Sequence, residues 1–214
     1  MVVKLSAGFQ VYLITDRSLF APDVFLSAVE SALKGGIRAL QLREKDLGHL
    51  ALPVLARQVK TLTQKYNASL IINGQAEVAH AVGAEGVHLP ESCAASVPEI
   101  RKKFPRLLIG VSTHSLEKAR EVEVLGADFV TFSPIYDTQS KKEYGPPQGL
   151  EKLREVVQTV NIPVLALGGI TRDRVTPVLQ TGAFGVALIS GIWSSGNIEK
   201  SVFEYIQYFG GKSL

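Results

Sequence analysis

The stretch VGAEGVHL at residues 82–89 recurs in the same chain as LGADFVTF at 125–132 and as TGAFGVAL at 181–188. In each copy a glycine follows a helical segment and is predicted to end it in the left-handed conformation, which glycine adopts without strain. An alanine and a short apolar run follow, as expected where a helix returns to a buried strand. The repetition of this helix-to-strand joint indicates a fold built from repeated strand–helix units.

Short runs rich in valine, isoleucine and leucine alternate along the whole chain with longer segments of helical periodicity. The runs are apolar throughout, which is typical of parallel strands buried on both faces. The predicted strands are Gln10–Thr15, Ile37–Leu42, Ser69–Ile72, Gly86–Leu89, Leu107–Val111, Asp128–Phe132, Pro163–Leu167 and Phe184–Ile189. Eight such units favour an α/β fold, a (β/α)8 TIM barrel forming a single domain over residues 1–214. A doubly wound sheet is the alternative, but it normally has fewer strands.

The composition of the 214 residues limits the class of protein. Hydrophobic residues make up 46% and charged residues 20%, as in ordinary globular domains. No apolar run approaches the roughly 18 residues that cross a membrane, and the N-terminus does not resemble a signal peptide. The net charge of +3 is too small to indicate nucleic-acid binding, although it suits small anionic ligands. A single cysteine excludes an internal disulfide, and we expect a cytoplasmic protein.

Polar groups or glycine pairs follow nearly every predicted strand, at the end of the barrel where active sites form. The densest group is QLREKD at residues 41–46. Alternate residues of an extended strand share one side, so Gln41, Arg43 and Lys45 are predicted to face one volume suited to phosphate or pyrophosphate. The alternative is a solvated loop with ordinary surface charges. Asn73 and Ser112 follow the third and fifth predicted strands and are expected at the same site.

A second group of candidates lies near the last strands. Backbone N–H groups after strands seven and eight commonly hold phosphate in barrels, and the candidates here are Gly168, Gly169, Ile189 and Ser190. The long loop at 133–149 adds Thr138, Ser140 and Lys141, which are predicted to bind anionic oxygen. The alternatives are glycines needed only for tight turns and a loop without a binding role. Together the two groups predict a phosphorylated small-molecule ligand.

Among the histidines, His114 lies just past the fifth strand and is a candidate for acid–base catalysis, since imidazole exchanges protons near neutral pH. The alternative is a residue at a helix start without a catalytic role. His88 lies inside its strand and is interpreted as a core residue. Cys93 has no base nearby in the sequence and is not expected to be a nucleophile.

Several stretches resemble the thiamine phosphate synthase and TenI superfamily, and the resemblance covers essentially the whole chain. They include YLITD (12–16), GGIRALQLREKD (35–46), IGVSTHS (109–115), the loop start SPIYDTQSK (133–141) and IPVLALGGI (162–170). The family fold is a TIM barrel. By resemblance, the pyrophosphate and pyrimidine positions of the synthases fall on Gln41, Arg43, Lys45, Asn73, Ser112 and Lys141. The thiazole phosphate positions fall on Thr138, Ser140, Gly169, Ile189 and Ser190.

The chain departs from the synthases at two positions. Synthases usually carry an aspartate after the third strand and another after the fourth, and both bind Mg²⁺. Here the first position holds Gly74 and the second falls at or near Cys93, with Glu91 as the nearby carboxylate. Mg²⁺ requires hard oxygen ligands, so neither Gly74 nor Cys93 replaces the aspartates. TenI-type proteins read NG and LP at these places, as this chain does.

The resemblance therefore implies a TenI-like thiazole tautomerase, which aromatises a thiazole carboxylate phosphate by metal-free proton transfer, with His114 as the proton shuttle. The alternative is a Mg²⁺-dependent thiamine phosphate synthase that condenses hydroxymethylpyrimidine pyrophosphate with thiazole phosphate and recruits Glu91 to the metal. A third hypothesis is a non-catalytic regulatory protein that binds thiazole or thiamine phosphate. We expect no cofactor for the tautomerase, and Mg²⁺ only if the protein is a synthase. The expected ligand is a small phosphorylated thiazole, and the expected assembly is a homo-oligomer.

Overall fold

Eight parallel strands close into a barrel in the computed structural model, which describes residues 5, 7–48, 50–138 and 146–210. Each strand pairs with the next along the chain, and the eighth pairs with the first. The strands are β1 (Val11–Ile14), β2 (Ala39–Leu42), β3 (Ser69–Asn73), β4 (Gly86–Leu89), β5 (Leu108–Thr113), β6 (Phe129–Phe132), β7 (Val164–Leu167) and β8 (Gly185–Leu188). The predicted TIM-barrel fold is confirmed.

Helices follow the strands and cover the outside of the barrel. They are α1 (Phe25–Lys34), α2 (Ala51–Lys65), α3 (Ala76–Ala81), α4 (Val97–Lys103), α5 (Leu116–Leu125), α6 (Gly149–Thr159), α7 (Arg172–Leu179), α8 (Ser190–Trp193) and α9 (Ile198–Ile206). The short helix α8 was not predicted from the sequence. Within the described ranges, no helix has the length and apolar character needed to cross a membrane.

The apolar side chains form two layers because successive residues of a strand point to opposite sides of the sheet. One layer fills the barrel interior and includes Tyr12, Ile71, Phe129 and Leu165. The larger layer packs the outer side of the strands against the helices and includes Leu40 and Leu70. Interior side chains fill the barrel below its mouth, so ligands must bind at the ends of the strands.

The repeated phrase forms the joints that the sequence predicts. Gly83, Gly126 and Gly182 have φ values of 69°, 98° and 92°, so each residue is left-handed where a helix gives way to a strand. Two copies of the phrase also carry an acid before the strand. Glu85 accepts the Leu70 N–H at 2.7 Å and pairs with Lys60.

Asp128 repeats this arrangement one pair of strands later. Its carboxylate accepts the Ile109 N–H at 2.7 Å and pairs with Arg101 of α4. The third copy has Phe184 in the corresponding place. Two acidic residues therefore join a strand, its neighbour and an outer helix at the amino end of the barrel, remote from the strand ends that carry the candidate site.

Candidate active site

A cavity of about 700 Å³ opens at the carboxyl ends of β2 to β5, and we call it the His114 cavity. It is lined by five of the residues predicted from the sequence, namely Arg43, Lys45, Asn73, Ser112 and His114. The carboxyl ends of three strands, β2, β3 and β5, contribute them, which is why residues separated by up to 71 positions meet here. The two cations from β2 make the cavity suitable for an anionic ligand.

Gln41 does not line this cavity, so the expectation that it faces one volume with Arg43 and Lys45 is wrong in part. Its side chain is almost fully buried, and its Nε2 donates to the Tyr12 hydroxyl at 2.9 Å. The physical reason is that Gln41 lies deeper in the barrel than Arg43. Two residues along a strand advance about 6.6 Å, so Gln41 lies one interior layer below Arg43 although both point the same way.

A chain of buried polar groups connects that layer to the cavity. Tyr12 accepts from Gln41, and its hydroxyl lies 3.5 Å from Nδ1 of His88. Burial raises the pKa of Tyr12 far above the ordinary range, so the hydroxyl keeps its proton and can donate it to His88. In that arrangement Nε2 of His88 carries a proton, which it donates to Oγ of Ser112 at 3.0 Å.

His88 is therefore a core histidine with polar partners, as interpreted from the sequence, and it also contacts a residue of the cavity wall. Sequence reasoning missed this connection. A histidine in the middle of an apolar strand was the only available signal, and its partners on β1 and β5 lie 76 and 24 residues away.

His114 is held from two sides. Its backbone N–H donates to a carboxylate oxygen of Glu91 at 2.8 Å, and its Nδ1 lies 2.7 Å from the carbonyl oxygen of Ser133. A carbonyl oxygen only accepts, so Nδ1 carries the proton in this contact. In the neutral ring Nε2 is then the basic nitrogen, which is the state that a proton acceptor requires. Ser115 follows directly and caps α5 through the Lys118 N–H.

The end of β2 is braced by a buried carboxylate that the sequence analysis did not single out. Glu44 accepts from Oγ1 of Thr15 at 2.5 Å and from the Arg17 N–H at 3.1 Å, and Thr15 accepts the Arg43 N–H at 2.9 Å. Burial raises the pKa of the Glu44 carboxyl, and the hydrogen bonds from Thr15 and Arg17 oppose that rise. The brace fixes the backbone from which Arg43 and Lys45 extend.

A second cavity, of about 90 Å³, lies at the ends of β7 and β8, and we call it the glycine cavity. It is lined by five further residues predicted from the sequence, Thr138, Gly168, Gly169, Ile189 and Ser190. Gly168 and Gly169 have φ values of 101° and 65°, and a Cβ on Gly169 would lie 2.8 Å from the Asp137 carbonyl oxygen. The backbone is thus exposed to the cavity in a form that only glycine supplies. Ser140 and Lys141 lie outside the described residues.

The resemblance expects the synthase aspartates at Gly74 and at or near Cys93, and these two residues lie on one cavity. Gly74 and Cys93 line a third cavity, of about 230 Å³, and Cys93 is exposed. In the part of the chain that the structure describes, no group of three or more His, Cys, Asp and Glu side chains is arranged to hold a metal ion. The nearby carboxylate, Glu91, accepts the His114 N–H. These donors do not fit the hard, octahedral oxygen shell that Mg²⁺ requires.

Comparisons with known proteins agree with the resemblance at the level of the family. The family model described as thiamine monophosphate synthase (TMP-TENI) matches residues 11–192. The "Putative thiamine-phosphate synthase 2" of Aquifex aeolicus is 47% identical over 85% of this chain and 96% of its own. The thiamine-phosphate synthase of Clostridium novyi is 36% identical over 91% of this chain and 96% of its own.

A solved structure extends the similarity to three dimensions. The thiamine phosphate pyrophosphorylase from Pyrococcus furiosus matches with a TM-score of 0.84 and 32% identity, over 95% of this chain and 96% of that one. The names of these relatives support the alternative expectation of a synthase, and nothing in them supports closeness to TenI over the synthases. The chain belongs to the thiamine monophosphate synthase (TMP-TENI) family.

Proposed function

We propose that this protein is an enzyme of thiamine biosynthesis that binds a phosphorylated thiazole at the mouth of its barrel. The glycine cavity would hold the phosphate, because backbone N–H groups at Gly169 and Ser190 suit an anion that approaches the main chain closely. The His114 cavity would hold the ring and its remaining anionic group. Arg43 and Lys45 supply the positive charge there.

We propose further that the reaction is a proton transfer, as in a thiazole tautomerase. The observation that carries this choice is the contact between Nδ1 of His114 and the Ser133 carbonyl oxygen, which makes Nε2 the basic nitrogen of the neutral ring. Nε2 would take a proton from one atom of the thiazole system, and the released electron pair would enter the ring. The same proton would be returned to a second atom, so substrate and product are isomers.

The residues available as metal ligands support proton transfer as well. Metal-assisted loss of pyrophosphate needs carboxylate ligands, and the resemblance expects them at Gly74 and at or near Cys93, where neither residue is a carboxylate. A proton transfer needs a base and an anion site, and His114 and the two cations supply them.

A second candidate, thiamine-phosphate synthase, is favoured by the names of the relatives. Both the Clostridium novyi protein, at 36% identity, and the Pyrococcus furiosus structure, at 32%, carry the name of that activity. In this candidate Arg43 and Lys45 would hold the pyrophosphate group of the pyrimidine substrate. The two reactions use different substrates, so one experiment separates them.

The experiment supplies the purified protein either with thiazole carboxylate phosphate or with hydroxymethylpyrimidine pyrophosphate and thiazole phosphate. Each assay is run once with Mg²⁺ and once with a chelator. We expect isomerisation of the thiazole carboxylate phosphate in both conditions, reduced about 10²- to 10⁴-fold in His114→Ala. His80→Ala is the matched control, because His80 is exposed on α3 and lines neither the His114 cavity nor the glycine cavity. Condensation that requires Mg²⁺ would establish the synthase instead, and binding without turnover would establish a non-catalytic protein.

A further inference from the structure

The contact between Glu91 and His114 joins two loops of the candidate site. One carboxylate oxygen of Glu91 accepts the His114 backbone N–H at 2.8 Å, across 23 residues of sequence. Glu91 begins the short 3-10 helix Glu91–Ser96, directly after Pro90. The fixed φ of proline and the helical turn that follows place this carboxylate firmly beside the end of β5.

The same contact completes a two-point attachment of His114. The carboxylate holds the main chain, and the Ser133 carbonyl oxygen holds Nδ1 of the ring at 2.7 Å. The contact at Nδ1 restrains rotation of the ring about its two side-chain bonds, and the contact at the backbone N–H restrains the main chain that carries the side chain. A hydrogen bond to an ionised carboxylate is stronger than one between neutral groups, so Glu91 is well suited to this task.

We propose that Glu91 is a positioning residue that holds His114 in the orientation required for proton transfer. The inference rests on the proposed function of His114, but its structural part can be tested without it. It also assigns a role to Glu91, the carboxylate close to the position at or near Cys93 where the synthases carry their second aspartate. Glu91 would hold the histidine and would not bind a metal ion, as expected of an enzyme that transfers a proton without Mg²⁺.

The test compares Glu91→Ala with Glu91→Gln. The alanine variant removes the acceptor, and we expect kcat for isomerisation to fall about 10- to 100-fold with KM changed less than about threefold, since a small misplacement of a catalytic group costs rate. The glutamine variant keeps an amide oxygen as acceptor and should recover kcat to within about threefold of the natural protein.

A matched control removes an equivalent bond elsewhere. Glu123 on α5 accepts the backbone N–H of Asn161, 38 residues later, at 2.7 Å. Neither residue lines the His114 cavity or the glycine cavity. Glu123→Ala therefore loses a carboxylate–amide bond of the same kind and should leave kcat unchanged. If Glu91→Ala affects kcat no more than Glu123→Ala does, the positioning role is wrong.

Hydrogen exchange and ¹⁵N NMR of the natural protein and the variants provide readouts independent of activity. We expect the His114 amide to exchange at least about tenfold faster in Glu91→Ala, and the Nδ1 proton of its ring to become less protected. The proposal would be overturned if the exchange rate of the His114 amide and the protection of its ring proton stayed unchanged in Glu91→Ala. It would also be overturned if Mg²⁺ shifted the NMR signals of Glu91 and the protein catalysed Mg²⁺-dependent condensation. If the natural protein isomerises nothing, the proposed function fails, while the NMR result still decides whether Glu91 holds His114.

Discussion

Oγ of Ser112 lies 3.0 Å from Nε2 of His88, so a hydroxyl on the wall of the His114 cavity contacts a ring inside the barrel. His88 is buried, and it is linked through Tyr12 to the amide of Gln41. When Nε2 donates to Ser112, the hydroxyl retains its own hydrogen for another acceptor. The buried chain therefore prepares Ser112 to donate to an anionic ligand.

This relationship predicts coupling between His88 and Ser112. We expect His88→Leu to lower the free energy of unfolding by about 1–3 kcal/mol, because buried polar groups lose their partner. Ser112→Ala should weaken substrate binding. In a double-mutant cycle on substrate affinity, we expect the two changes to interact by at least about 0.5 kcal/mol. Strictly additive effects would show that the chain does not orient the Ser112 hydroxyl.

The glycine cavity predicts a difference between two glycine substitutions. Gly169 and Gly83 have similar φ values of 65° and 69°, but a Cβ on Gly169 would meet atoms at 2.8 Å and a Cβ on Gly83 would meet nothing within 4 Å. Gly83→Ala should cost about 1–2 kcal/mol of stability through its backbone alone. Gly169→Ala should cost more and should also abolish binding of inorganic phosphate, measured by calorimetry. Equal losses of phosphate binding in both variants would contradict the assignment of the cavity.

The third cavity predicts that a metal site can be introduced. Gly74 and Cys93 line it together, and a Cβ on Gly74 meets nothing within 4 Å. Asp tolerates the left-handed region better than most residues, so Gly74→Asp combined with Cys93→Asp should fold. We expect this double variant to bind Mn²⁺ at least about tenfold more tightly than the natural protein, measured by electron paramagnetic resonance. The neutral pair Gly74→Asn and Cys93→Ser is the control, and equal Mn²⁺ affinity in both pairs would refute the prediction.

The carboxyl of Glu44 predicts a dependence of stability on pH. Burial raises its pKa above the ordinary value of 4.5, so the folded state binds this proton more tightly than the unfolded state. The resulting stabilisation is present in acid and is lost as pH rises from the ordinary value through the raised one. Glu44→Gln has no proton to lose. We therefore expect the unfolding free energy of the natural protein to fall, relative to that of the variant, as the pH rises above about 4.5.

Denaturant titrations of both proteins across this range measure the difference. Thr15→Val adds an internal comparison, since it removes a hydrogen bond that favours the charged form of Glu44 and should therefore strengthen the trend. A difference between Glu44→Gln and the natural protein that stays constant with pH would show that Glu44 titrates alike in the folded and unfolded states.

The fold could be predicted from sequence because its signals are local. Each apolar strand and each left-handed joint glycine is visible within about ten residues, as at residues 82–89. The exceptions have no such signal. The helix Ser190–Trp193 is a single turn, and β5 continues through Ser112 and Thr113, whose polarity hid the end of the strand.

The site was predictable where position along a strand was enough, as for Arg43 and His114. It was not predictable where depth or a distant partner decides the role. Alternation showed which way Gln41 points but not that it lies below the cavity. The role of Glu44 depends on Thr15, 29 residues earlier and just after the end of β1, and that pairing exists only once the barrel has closed.

The two acidic residues at the amino end of the barrel, Glu85 and Asp128, have a consequence for how this chain tolerates change. They tie strand to strand and strand to helix on the side opposite both cavities. Substitutions at the mouth, for example at Gly74 or Cys93, do not remove these ties. Mutation can thus explore new reactions at one end of the molecule while selection for folding acts on the other.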